Sequence, residues 1–234
     1  MNCRIADLNV VLNCETITMN NAQKYKFEFS DEPDIIIVSD SKDIQKRIVN
    51  TNFSYDTAAY IIEWQEFQKK MLDFSGVYFH SSAVVVDEKA YLFSAPCGTG
   101  KSTHTEQWLK LFPNKAFIIN DDKPVVRVMD DGIFVYGTPW SGKHDISVNT
   151  RAKLQGICFL ERGDKNEIDM MAKNEAVVRL FHAALHKLSR EKMQKELNLI
   201  SSIIEHIPIY KMKCLPNIAA AKMSYRVMSK PEVS

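Results

Sequence analysis

The residues best suited to chemistry sit together at 95–102, in the run A-P-C-G-T-G-K-S. Two glycines, a lysine and a hydroxyl in this order fit the phosphate-loop pattern G-x-x-x-x-G-K-[ST], with alanine at the first glycine position. Gly98 and Gly100 let the backbone turn so that successive N–H groups converge on phosphate oxygens. A helix starting just after the loop adds its positive end. Ala95, Pro96, Cys97, Gly98, Thr99, Gly100, Lys101, Ser102 and Thr103 are therefore the candidate nucleotide-binding residues. Lys101 would set an ammonium on the β and γ phosphates of ATP, and Ser102 would offer a hydroxyl to Mg²⁺. The competing reading is a glycine-rich strand-to-helix turn with a surface lysine. A dinucleotide site is disfavoured, because G-x-G-x-x-G is absent.

Phosphoryl transfer also needs carboxylates at the loop's edge of the sheet. Asp121 and Asp122 end the apolar run "AFIIN". One carboxylate can hold the metal while the other accepts a proton from a hydroxyl or from water. The alternative is a solvated acidic turn before Lys123-Pro124. His80 precedes the strand that leads to the loop, where a neutral imidazole could orient an aspartate. In "GTPWSGKHDI", Lys143 could reach the transferred phosphate and Trp140 could shape a base or substrate pocket, unless the segment is a solvent-facing turn. Arg162, in "LERG", is a second cation for the nucleotide. His182 and His186 have metal-ligand spacing on a helix but lack a third ligand, so they read as surface or packing residues.

Those residues need elements to position them. "RIADLNVVL", "KYKFEFS" and "DIIIVS" read as strands. Residues 56–72 read as a helix capped by Asp56, with Ile61, Trp64, Phe67 and Met71 on its core face. Val84–Val86 and Tyr91–Phe93 read as strands around a turn at 87–89. "THTEQWLKLF" reads as the helix after the loop, and "KAFIINDD" as the strand carrying the acidic pair. "PVVRVMDDGIFVYG" reads as a hairpin turning at Asp131-Gly132. A strand at "LQGICFLERG", helices at 174–188 and 190–206, a strand at "IPIYKMKCL" and a helix opening on Pro216 complete the chain.

Composition sets the outer bounds. The chain has 234 residues, 45% of them hydrophobic, enough for a sizeable core. Its net charge of +1 supplies no global field for nucleic acid or an anionic membrane, and neither is expected as a partner. Five cysteines at wide spacing, with no C-x-x-C pair, favour reduced thiols over a disulfide framework or a zinc site. No apolar run is long enough to span a bilayer, and the N-terminus does not read as a signal peptide, so a cytoplasmic protein is expected.

The stretch "FHSSAVVVDEKAYLFSAPCGTGKSTHT…IINDDKPVVR" resembles the C-terminal catalytic domain of HPr kinase/phosphorylase. It is also similar to the nucleotide-binding core of ATP-dependent phosphoenolpyruvate carboxykinase. The likeness is strongest over 76–163, and "GTPWSGKH" and "LERG" resemble a bacterial branch of that superfamily. The resemblance implies an α/β fold whose loop is entered from a mixed, β-rich twisted sheet, with a helical C-terminal segment. It implies a functional role for His80, a general base at Asp121, a magnesium ligand at Asp122, and assembly into homo-oligomers. The signature that follows the aspartates in HPr kinase is absent, as is a set of carboxykinase metal ligands and substrate arginines. Residues 1–75 do not resemble the HPr kinase regulatory domain and are expected to form an elaboration packed on a 76–234 core.

The expected activity is an ATP- and Mg²⁺-dependent kinase acting on a hydroxyl of a small molecule or peptide. Asp121, oriented by His80, would take the proton; Ser102 and Asp122 would hold the metal. The competing expectation is a nucleotide-binding accessory module with little turnover.

Overall fold

The computed structural model of this protein describes residues 1–184 and 188–230. The first part is built from β1 (Asn2–Ile5), β2 (Leu8–Asn13), α1 (Thr16–Asn21), β3 (Ile35–Val38), α2 (Ser41–Thr51) and α3 (Tyr55–Met71). The run read as one strand from Arg4 is a hairpin, because Ala6 and Asp7 both take positive φ and reverse the chain. Residues 24–30 do not form the expected strand. A 3₁₀ turn at Ala22–Tyr25 precedes a single bridge from Lys26 to Cys3. Tyr25 is buried there, while Phe27 stays half exposed, so the alternation had no second strand to face. Ser54, not Asp56, caps α3 by accepting the Thr57 N–H.

The second part contains β4 (Gly76–Tyr78), β5 (Ser81–Val86), β6 (Lys89–Ser94), α4 (Lys101–Leu111), β7 (Ala116–Asp122), β8 (Val125–Met129) and β9 (Gly132–Tyr136). It continues through β10 (Arg151–Arg162), β11 (Glu167–Met170), α5 (Lys173–Ala183), α6 (Arg190–His206), β12 (Ile209–Cys214) and α7 (Ile218–Met228). Nine strands share one mixed sheet, on the path β4-β8-β9-β10-β6-β5-β7, with β12 joining β10 to β11. The α/β class agrees with the sequence. α5 ends at Ala183, short of the expected 188; Leu185 and His186 lie outside the described residues. Asn217 caps α7 through the Ala220 N–H, so Pro216 precedes the helix rather than opening it.

β5 and β6 are apolar on both faces because each face meets a helical layer. Ala83, Val85, Leu92 and Phe159 pack on one side against Leu180 of α5 and Ile200 and Ile203 of α6. Val84, Tyr91, Phe93 and Cys158 pack on the other against Trp108 of α4 and Ala221 and Met228 of α7. The three-stranded sheet β1-β2-β3 forms its own cluster with Trp64 and Phe67 of α3. Val125, Tyr136 and Trp140 belong to that cluster too, so it runs continuously into the larger sheet. Buried Glu63 fastens this first part: it accepts from the Glu15 N–H and from the Thr18 and Ser39 hydroxyls.

Candidate active site

Strand directions bring the candidate residues to one edge. β6 and β12 both run parallel to β10, and β5 runs antiparallel to β6 and β7. The carboxyl ends of β6, β7, β10 and β12 therefore meet the start of β5, at the side where open α/β sheets bind ligands. Ser81 pairs with Ser94 on one flank and with Asp122 on the other. This register sets His80, the glycine loop and the acidic pair side by side.

The loop between β6 and α4 holds Gly98 at φ 75° and Gly100 at φ 110°, conformations that an L side chain rarely adopts. Gly100 is the N-cap of α4 and offers no side chain to the first helical N–H groups. Those donors remain open to an anion. Lys101 Nζ donates to the Ala95 carbonyl at 2.9 Å, folding the lysine back across the loop. Burial pulls its ammonium pKa down, against the opposing charges of Asp122, Cys97 and Asp121. Arg162, at the end of β10, donates to the Gly98 carbonyl at 2.9 Å and so touches the loop from the other side.

The acidic pair divides its partners. Ser102 Oγ donates to Asp121 Oδ2 at 3.0 Å. His80 Nε2 donates to Asp122 Oδ1 at 2.9 Å, and Lys123 Nζ pairs with Asp122 Oδ2. The expectation had these pairings crossed, with His80 on Asp121 and Ser102 on Asp122. Consecutive strand residues face opposite ways. Asp121 lies opposite Ser82, which bonds Thr105 of α4, so both point to the helix that carries Ser102. Asp122 turns the other way and sits at φ 107°, a strained conformation for a side-chain-bearing residue. Buried Asn120 holds the turn, accepting from the Lys123 N–H at 2.8 Å and donating to the Thr138 carbonyl at 3.0 Å. Burial pushes the Asp122 carboxyl up, but His80 and Lys123 outweigh it and hold it well below the usual carboxylate range.

A turn from the 137–145 segment closes the far wall. Gly142 packs over Asp122: a Cβ there would come within 3.0 Å of Asp122 Cβ. Its N–H donates to the Tyr60 hydroxyl of α3 at 3.3 Å, and Lys123 Nζ lies 5.4 Å from the Tyr60 ring centroid. Lys143 is exposed at this turn and lines the same groove as Lys101 and Asp122. Trp140 does not shape a pocket. It is fully buried, stacked on Phe67 at 4.7 Å between ring centroids.

Two cavities flank the glycine loop. One, about 430 Å³, is lined by His80, Lys101, Ser102, Asp121, Asp122 and Lys143. The other, about 370 Å³, is lined by Thr99, Thr103, His104, Gln107, Arg162 and Asn217. Pro96 falls in neither lining, and Cys97 joins the first. His104 underpins both loop and helix. Its Nε2 accepts from Trp108 Nε1 at 3.3 Å and lies 3.1 Å from Ser224 Oγ. Burial pulls the His104 imidazole from its ordinary 6.5 down to about 4. The unfolded chain then binds the extra proton between those values, so stability is full above pH 6.5 and falls as pH drops toward 4. The loss between pH 8 and 4.5 is expected to be about 2.5 kcal/mol, read by urea unfolding at both values. His104→Gln should flatten that slope; an unchanged slope would refute the assignment.

Tyr60, Asn120, Lys123 and His104 were not singled out from the sequence. Lys123 adjoins the acidic pair and was within reach; the others depend on packing between distant segments. Among the described residues no group of three or more His, Cys, Asp or Glu could hold a metal ion. None of their helices is long and apolar enough to cross a membrane.

No family model matches this chain, and no curated protein matches its sequence. Among solved structures it is similar to "Structure of the Hpr(Ser) kinase/phosphatase from Coxiella burnetii". The identity is 10% and the TM-score 0.31, over 55% of this chain and 91% of that chain. The likeness is a distant one in fold, and the chemistry of the site rests on this chain's own residues.

Proposed function

We propose that this chain is a phosphotransferase that uses ATP with Mg²⁺ and delivers the γ-phosphoryl group to a hydroxyl. The observation that carries this reading is one groove holding a glycine loop at a helix N-terminus, a lysine, a serine–aspartate pair and a histidine–aspartate pair. The loop amides and Lys101 bind the phosphates, with Lys101 leaving the Ala95 carbonyl to do so. The nucleoside lies toward Arg162 in the second cavity.

Ser102 and Asp121 supply two hard oxygens on one side, which suits Mg²⁺ bound by few protein ligands plus phosphate oxygens and water. When bound there, the ion would neutralise charge on the transferring group. Asp122 receives the hydroxyl proton, with His80 hydrogen-bonded behind it. A carboxylate of low basicity suffices as that acceptor, because phosphoryl transfer has a loose transition state governed by positioning and charge. These roles exchange the two aspartates relative to the sequence expectation, following their hydrogen-bond partners.

The accessory-module reading would share the loop but has no use for the strained Asp122 and its histidine. The test is transfer of label from γ-labelled ATP into fractionated cell extract. Incorporation that needs Mg²⁺ supports a kinase; nucleotide binding with no labelled product from any fraction supports the module instead.

A further inference from the structure

We infer that the acceptor is a small hydroxyl compound carrying an anionic group, a carboxylate or phosphate, seated on Lys143 and His144. The inference rests on the phosphotransferase reading. Both side chains line the cavity that holds Asp122, and both are exposed. Among the described residues neither side chain has a hydrogen-bond or ion-pair partner.

The acids nearby are already matched. Asp145, on the same turn, takes Lys24 Nζ at 3.0 Å and the Ser141 hydroxyl at 2.9 Å. Asp122 takes His80 and Lys123. The donors on Lys143 and His144 are thus left for something outside the chain. The turn that presents them is held in place: Tyr60 binds the Gly142 N–H, Lys24 binds Asp145, and Asn21 Nδ2 donates to the Pro139 carbonyl at 3.2 Å. All three anchors come from the first 75 residues, which gives that part of the chain a role at the site.

Position separates this anion from the donor's. Lys101 and the start of α4 serve the nucleotide phosphates, whereas Gly142 packs directly on Asp122, where the acceptor hydroxyl must sit. A space of about 430 Å³ shared with the γ-phosphate suits a small molecule. In the transfer, the acceptor oxygen bonds the γ-phosphorus, the bond to the ADP oxygen breaks, and the hydroxyl proton goes to Asp122.

The test is calorimetric titration of the full chain with glycerol 3-phosphate, glycerate and glycerol. A non-hydrolysable ATP analogue and Mg²⁺ are present, so that the glycine loop is filled. The two anions are expected to bind more tightly than glycerol, and Lys143→Gln with His144→Gln should weaken them by about tenfold or more. Equal affinity for glycerol, unchanged affinity in the double variant, or label transfer only to acidic serine peptides would overturn the inference. Failure of the analogue to bind would count against the phosphotransferase reading. The anion series would then be repeated on Lys101→Gln without nucleotide, where the same preference, lost on mutating Lys143 and His144, still supports the anion site.

Discussion

Lys101→Ala is expected to lower phosphate transfer by about a thousandfold. The ammonium lies against the glycine loop, it is partly desolvated, and it donates at rest to the neutral Ala95 carbonyl. It therefore gives up little on turning to a phosphate, and in a low-dielectric groove it would act on charge that is being redistributed. The fall should appear in kcat/KM for ATP, with a weaker nucleotide Kd beside it. The folded state should be almost untouched, since the lysine caps no buried charge. A variant that keeps its rate would remove the loop from the mechanism. One that unfolds early would instead make Lys101 structural, so a urea curve accompanies the kinetics.

Asp121→Asn and Asp122→Asn should fail in different ways. Asp122→Asn removes the proton acceptor and is expected to cut kcat by about 10²–10⁴-fold with the requirement for Mg²⁺ unchanged. Asp121→Asn removes a metal oxygen beside Ser102, so it should raise the Mg²⁺ concentration needed for half-maximal rate and be partly rescued by excess metal. The reverse pattern would restore the roles that the family resemblance implies. The carboxyl of Asp122 is held well below the usual range, so it should remain ionised through mildly acid pH. An acid limb of activity near the ordinary carboxylate pKa would therefore not come from Asp122.

Much of the candidate site was legible because its residues lie in short runs. The loop glycines with Lys101 and Ser102, and the adjacent Asp121 and Asp122, are local patterns whose chemistry follows from type and spacing. The pairing of the aspartates was not legible. It follows from which face of β7 each one takes and from the φ of 107° at Asp122, and both depend on the β5–β7 register and on Asn120. Trp140 looked like a pocket wall because it sits among glycines and polar residues, yet it packs against Trp64 and Phe67 from far earlier in the chain. Tyr60 was hidden for the same reason: its neighbours in sequence form an ordinary helix, and only the fold brings its hydroxyl to Gly142.

The fold divides in a similar way. The β-branched run of β5 and the aromatic and apolar run of β6 declared strands, and the stripe in α6 declared its helix at 190–206. α2, with only Ile44 buried, carries too thin an apolar face to stand out. The β1–β2 turn was masked because Ala6 continues the apolar alternation while its backbone reverses.

The most direct measurement of the central claim is a calorimetric titration of the full chain with a non-hydrolysable ATP analogue and Mg²⁺, run beside Lys101→Ala. The groove at the carboxyl ends of β6 and β7 predicts one saturable site in the native chain, weakened by at least about tenfold in the variant. No binding by the native chain, or equal binding by both, would contradict it.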